Sequence, residues 1–135
     1  MTLEDILEDI EFLEDDLERY RYVIELGRNL APLAEEERTD ATRVAGCTSK
    51  VWLTGDAHGD PPRFSFRADA DAQIVRGMAA LLLIAFNGKT AHEILTTDVE
   101  ALLTRLHFTE QLTPGRQNGL HAMIERIRGL AASAS

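Results

Sequence analysis

Val51-Trp52-Leu53-Thr54, then Gly55-Asp56-Ala57-His58-Gly59-Asp60-Pro61-Pro62, then Arg63-Phe64-Ser65-Phe66-Arg67 is the stretch that decides the fold. The first run reads as a strand, and the last alternates polar with apolar, the two-residue period of a half-buried strand. The turn formers between them predict a hairpin with a loose tip. Beyond Asp69-Ala70-Asp71, the run Ala72 to Phe86 is apolar nearly all round and predicts a buried central helix, stopped by Asn87-Gly88. Upstream, Leu3, Ile6, Ile10, Leu13, Leu17, Tyr20 and Ile24 recur at three-four spacing, an amphipathic helical stripe opened by a Thr2/Asp5 capping box. The periodicity does not decide between one long helix and two broken near Asp15-Asp16. Pro32 disfavours helix in the residue before it, and the polar segment Glu35 to Thr42 follows. Thr90 with Glu93, Asp98, and Thr113-Pro114 mark three later helix starts, and Leu120, Met123, Ile124, Ile127 and Leu130 mark the inner stripe of the last helix. Strands grouped mid-chain between helices predict an α+β fold, with a small antiparallel sheet of about three strands covered on one face by helices.

The 135 residues suit a single domain, 1–135. A net charge of −9 argues against nucleic acid, whose phosphates require a clustered excess of Lys and Arg. The longest apolar run, Met78 to Phe86, falls short of the ~18 residues needed to span a bilayer. The acidic N-terminal segment lacks the basic region of a secretory signal, and the lone cysteine suits a reducing compartment, so a cytoplasmic location is expected. Glu4, Asp5, Glu8, Asp9, Glu11, Glu14, Asp15, Asp16 and Glu18 concentrate acid at the front, either as a solvated helix face or as a surface steering toward a basic protein.

The only cysteine, Cys47, lies in Val44-Ala-Gly-Cys-Thr-Ser-Lys-Val-Trp52. It cannot form an internal disulfide or a multi-thiolate metal site, so it is either a buried filler or a thiol that reacts outside the chain. Gly46, Thr48 and Ser49 favour an accessible loop at a strand entrance. His58 falls in the turn, and His92, His107 and His121 are scattered over three helical segments without metal-ligand spacing, so no metal site is expected. Neither a phosphate loop nor a nucleophile elbow is present. Arg116 stands at the start of the last helix, against the positive end of the macrodipole, and calls for a tertiary partner, an acid by preference. Asp69 and Asp71 precede the central helix, where capping by one of them is the plain expectation.

Gly46-Cys47-Thr48-Ser49-Lys50-Val51-Trp52, Asp69-Ala70-Asp71-Ala72-Gln73-Ile74-Val75-Arg76-Gly77 and Leu112-Thr113-Pro114-Gly115-Arg116-Gln117-Asn118-Gly119-Leu120 with Met123 together resemble the SufE family of sulfur-acceptor proteins. Tyr22 to Gly27, Arg38 and Arg43-Val44 fit as well, so the resemblance runs from about Arg19 to Ala131. It implies a SufE/IscU-like fold and an accessory protein rather than an enzyme. The implied task is to take persulfide sulfur from a pyridoxal-phosphate cysteine desulfurase (SufS-like) onto Cys47. The sulfur then passes to an iron–sulfur scaffold complex (SufBCD-like), and the desulfurase is stimulated. The pyridoxal phosphate belongs to the partner, and no cofactor beyond a covalent persulfide on Cys47 is implied here. Asp71 and Arg116 are expected beside the cysteine loop, joined by an ion pair, and the thiol is expected to turn toward an apolar pocket.

The sequence departs from the family's usual glutamine at Thr48 and Lys50 and from its serine at Ala70 and Gly115; Lys50 adds a cation three residues from the thiol. Two other readings stay open: a thiol-based redox sensor using Cys47, and a plain interaction module with an inert cysteine. Whether the desulfurase is SufS-like or CsdA-like is not legible.

Overall fold

The alternation that begins at Arg63 carries on through Ala68-Asp69-Ala70, and the second strand runs that far. The computed structural model describes residues 2–46, 49–107 and 112–134. Strand β1 (Val51–His58) pairs antiparallel with β2 (Arg63–Ala70), Val51 opposite Ala70 and His58 opposite Arg63. Both strands are longer than the sequence reading, which left Gly55 to His58 in the tip and ended the second strand at Arg67. The tip is only Gly59 to Pro62, and His58 closes β1. Phe64, Phe66, Ala68 and Ala70 are buried and Arg63, Ser65 and Arg67 exposed, so one face of the hairpin meets the core.

The expected third strand is reduced to one bridge, Arg43 opposite Trp52, flanked by Val44 N donating to Val51 O at 2.8 Å and Leu53 N to Thr42 O at 2.8 Å. It cannot lengthen in either direction. Thr42 and Arg43 fold back on Thr39 O, and Gly46 turns into the left-handed region at φ 87°.

Before the sheet lie α1 (Leu3–Phe12) and α2 (Asp16–Arg28); after it come α3 (Gln73–Phe86), α4 (Ala91–Leu95), α5 (Val99–Leu106) and α6 (Pro114–Ala134). The N-terminal stripe is thus two helices. Thr2 and Asp5 form the expected capping box on α1, and Asp15 caps α2 by accepting from Leu17 N at 2.7 Å. The break at Leu13 to Asp15 throws the stripe out of register, and Leu17, expected inside, is exposed. The other starts follow the sequence: a Thr90/Glu93 box on α4, Asp98 on α5, and Pro114 at the first position of α6. Helix α3 buries eleven of its fourteen residues and forms the centre of the core, with α2 and β2 as its main neighbours. Among the described residues no helix is long and apolar enough to cross a membrane.

The α2–α3 crossing is set by two glycines. A β-carbon on Gly27 would lie 2.6 Å from Gly77 N, and one on Gly77 would drive into the Val23 carbonyl. Backbone meets backbone there, and nothing flexible can yield. Gly129, on the exposed side of α6, has nothing within 4 Å. The two positions therefore predict opposite signs. Gly77→Ala should lose about 2 kcal/mol or more in urea unfolding, overpacking outweighing the gain in helix propensity. Gly129→Ala should gain about 0.5–1 kcal/mol.

Candidate functional site

Cys47 and Thr48 lie outside the described residues, and the expectation about the direction of the thiol lies there with them. The two ends of their loop are described. On the entry side, Val44 is buried and tied to Val51 O, and Ala45 and Gly46 are exposed. A β-carbon on Gly46 would sit 3.7 Å from Ala122 Cβ, which places this end of the loop against α6. On the exit side, Lys50 is clasped by Asp71: Lys50 N donates to Asp71 Oδ1 at 3.1 Å, and Asp71 N donates to Lys50 O at 3.1 Å. Arg126 of α6 reaches Ala41 O at 2.8 Å and Leu53 O at 3.4 Å, binding both chain segments that lead to the loop. The cysteine segment is therefore short and fixed at both ends.

Asp71 does not cap α3, and neither does Asp69; the N-cap is Ala72, whose side chain makes no bond. Asp69 is 2% exposed and has a different task. Its Oδ2 accepts from Arg38 at 2.8 Å and from Leu33 N at 3.1 Å, and its Oδ1 accepts from Arg76 and from its own strand neighbour Ala70 N. Arg76 also donates to Leu30 O at 2.7 Å. Asp69 faces away from the core, on the side of β2 shared with Arg67, and Trp52 stands opposite it in the register. That side is covered by the segment after α2, which sequence reading left as a polar stretch. Arg38 lies over the Trp52 ring at 5.5 Å, and Glu37, in a single 3-10 turn (Glu35–Glu37), pairs with Arg67. The hydrogen bonds from Arg67 and from Ala34 N hold the Glu37 carboxyl below the usual glutamate range. Sequence reasoning named Arg38 only within the resemblance and read Trp52 as part of a strand and Asp69 as a cap, so the cluster the three form was missed. The available signal was the polar–apolar alternation running on to Ala70, which puts position 69 inside a strand.

Arg116 does not reach Asp71. Its guanidinium donates to the Tyr20 hydroxyl of α2 at 2.8 Å, and its backbone N lies 3.4 Å from Thr113 Oγ1. The partner that compensates it is a neutral hydroxyl where an acid was expected, and no Arg116–Asp71 ion pair occurs. Among the described residues no acid pairs with Arg116, which stands six residues, about 9 Å along the helix, from Ala122. Among the described residues no three His, Cys, Asp or Glu side chains assemble into a group that could hold a metal ion.

This architecture has known counterparts. The chain matches the family described as SufE, Fe-S metabolism associated domain, over residues 4–131, and it belongs to that family. An uncharacterized SufE-like protein of Rhizobium etli is 46% identical over 129 residues, covering 94% of this chain and 87% of that protein. Another from Rhizobium meliloti is 43% identical over 132 residues, covering 96% and 94%. The solution structure of a hypothetical protein from Thermus thermophilus shares the fold, with TM-score 0.77 at 22% identity over 99% of this chain and 98% of that one.

The two aspartates should separate cleanly on substitution. Asp69→Ala strands Arg76 and Arg38 and should cost about 3 kcal/mol or more in urea unfolding. Asp71→Ala removes a bond to one exposed amide and should cost no more than about 1 kcal/mol, with faster hydrogen exchange at Lys50 N as its signature.

Proposed function

We propose that the protein accepts persulfide sulfur from a pyridoxal-phosphate cysteine desulfurase onto Cys47 and passes it to an iron–sulfur assembly scaffold, stimulating the desulfurase as it does so. The observation that carries this reading is the position of the chain's one thiol inside the segment Gly46 to Trp52, within a domain that belongs to the Fe-S metabolism associated family over residues 4–131. The donor is a SufS-like or CsdA-like enzyme that keeps the pyridoxal phosphate, the recipient a SufBCD-like complex, and the cytoplasm the working compartment. The protein acts as carrier and activator, without a cofactor of its own.

The chemistry needs one cysteine on this side. The Cys47 thiolate attacks the outer sulfur of the donor's persulfide, a new S–S bond forms at Cys47, the donor's S–S bond breaks, and the donor cysteine leaves as thiolate. No net oxidation occurs, so no further redox group is required. The anchored ends of the loop support the reading, because they restrict the thiol to a short reach and lower the entropy lost on alignment with the donor. The Lys50 cation, three residues along the chain, and the Arg116 charge on α6 favour the thiolate and the incoming persulfide anion.

Incubation with a cysteine desulfurase and cysteine, followed by intact mass measurement, tests the reading. The wild type should gain one sulfur, mapped to Cys47, while Cys47→Ser should stay folded, gain none and give no stimulation. Full stimulation by Cys47→Ser refutes covalent transfer. Oxygen addition by peroxide without any desulfurase-dependent sulfur would instead identify a redox sensor. Arg116→Ala should slow sulfur acceptance about tenfold while shifting Tm by no more than about 4 °C, since among the described residues the side chain's bond is the one to Tyr20. Unchanged acceptance kinetics would make Arg116 purely structural.

A further inference from the structure

Among the described residues, Phe12 at 85% and Leu17 at 55% are the large hydrophobic side chains left exposed. They stand on either side of the break between α1 and α2, whose caps are satisfied without them. The acids around them are only partly compensated. Arg105 holds Glu4 and Glu11, Arg19 pairs with Asp16, and Asp15 is engaged in capping. No ion pair among the described residues falls on Glu8, one turn before Phe12 on the same helix face, or on Glu14 between the two apolar residues. The result is an apolar pair inside a negative collar.

That combination selects its occupant. A second copy would set one acidic collar against another, and an anionic lipid surface or nucleic acid would be repelled in the same way. A protein surface with an apolar socket rimmed by Lys and Arg is complementary in both respects. The patch also connects to the cysteine loop. Leu17 lies one turn before Tyr20, whose hydroxyl holds Arg116 at the start of α6, and Ala122 of α6 supports Gly46. The whole path is on the order of 30 Å, the width of a standard interface of roughly 800 Å² per partner.

We infer that Phe12 and Leu17 form a second docking contact for the sulfur-donating desulfurase, seated in an apolar socket with a basic rim. The inference rests on the carrier reading above. The probe is the pyridoxal-phosphate cysteine desulfurase encoded in the same genome, titrated with this protein while cysteine turnover is followed. Phe12→Ser/Leu17→Ser should raise the half-saturating concentration about tenfold and leave Tm and maximal stimulation unchanged. Glu8→Lys/Glu14→Lys should raise it as well and flatten its dependence on salt, because the steering charge is gone. Normal stimulation by the wild type with unchanged half-saturation in both variants overturns this inference and leaves the carrier reading standing. Failure of the wild type to stimulate at all, with no sulfur on Cys47, overturns both.

Discussion

The buried carboxylate of Asp69 is the constraint on which the loop end of the molecule depends. Desolvating a carboxylate is expensive unless its oxygens are filled, and here each oxygen receives one guanidinium and one backbone N–H. Those four donors come from three places in the chain: the segment after α2 (Leu33 and Arg38), β2 itself and α3. Satisfying one anion therefore fixes the mutual position of three parts of the chain. Removal of the anion would free them together, which is why a hydrophobic contact of similar size would be a poor substitute at this point.

The described ends of the cysteine loop are held from the next layer out. Trp52 faces Asp69 across the hairpin and is covered by Arg38, so the start of β1 is held by the same guanidinium that holds the carboxylate. Asp71, two residues beyond Asp69, then clasps Lys50 by a reciprocal pair of backbone-directed bonds. The hierarchy has a physical order. Asp69 is desolvated and strong, while Asp71 is exposed and exchangeable with water, so the base of the loop is permanent and its last tie is weak.

What was legible in the sequence follows from what local rules can carry. Capping boxes at Thr2/Asp5 and Thr90/Glu93, the cap at Asp98, the apolar Ala72 to Phe86 run and the hairpin depend on neighbours within a few residues, and they were readable. The third strand was not, because its length is set by a turn on Thr39 O and by Gly46, both competing with the ladder. Leu17 looked internal because a three-four stripe assumes an unbroken helix, and after the Leu13–Asp15 break Leu17 is turned out while Tyr20 and Ile24 still pack against the core. Asp69 looked like a cap because proximity to a helix start is visible and a guanidinium 31 residues away is not. In the same way the sequence showed that Arg116 was out of place electrostatically, yet the identity of its partner, Tyr20, is a tertiary fact.

On the carrier reading, the economy of the site has a chemical reason. Exchange of one S–S bond for another involves no net oxidation, so the chain has to supply a thiolate and bring two sulfurs into line. Direction then comes from which proteins meet, and rate from how often they meet in register. A chain under that demand puts its specific residues into anchors for one loop and into surface charge, and leaves the reacting group as a single cysteine. The anchors are seen in Asp69, Asp71 and Arg126, and the charge is concentrated at the N-terminal helices instead of around the thiol. A cation near the loop and anions away from it are compatible demands only if the two surfaces are separate, as α6 and the α1–α2 break make them.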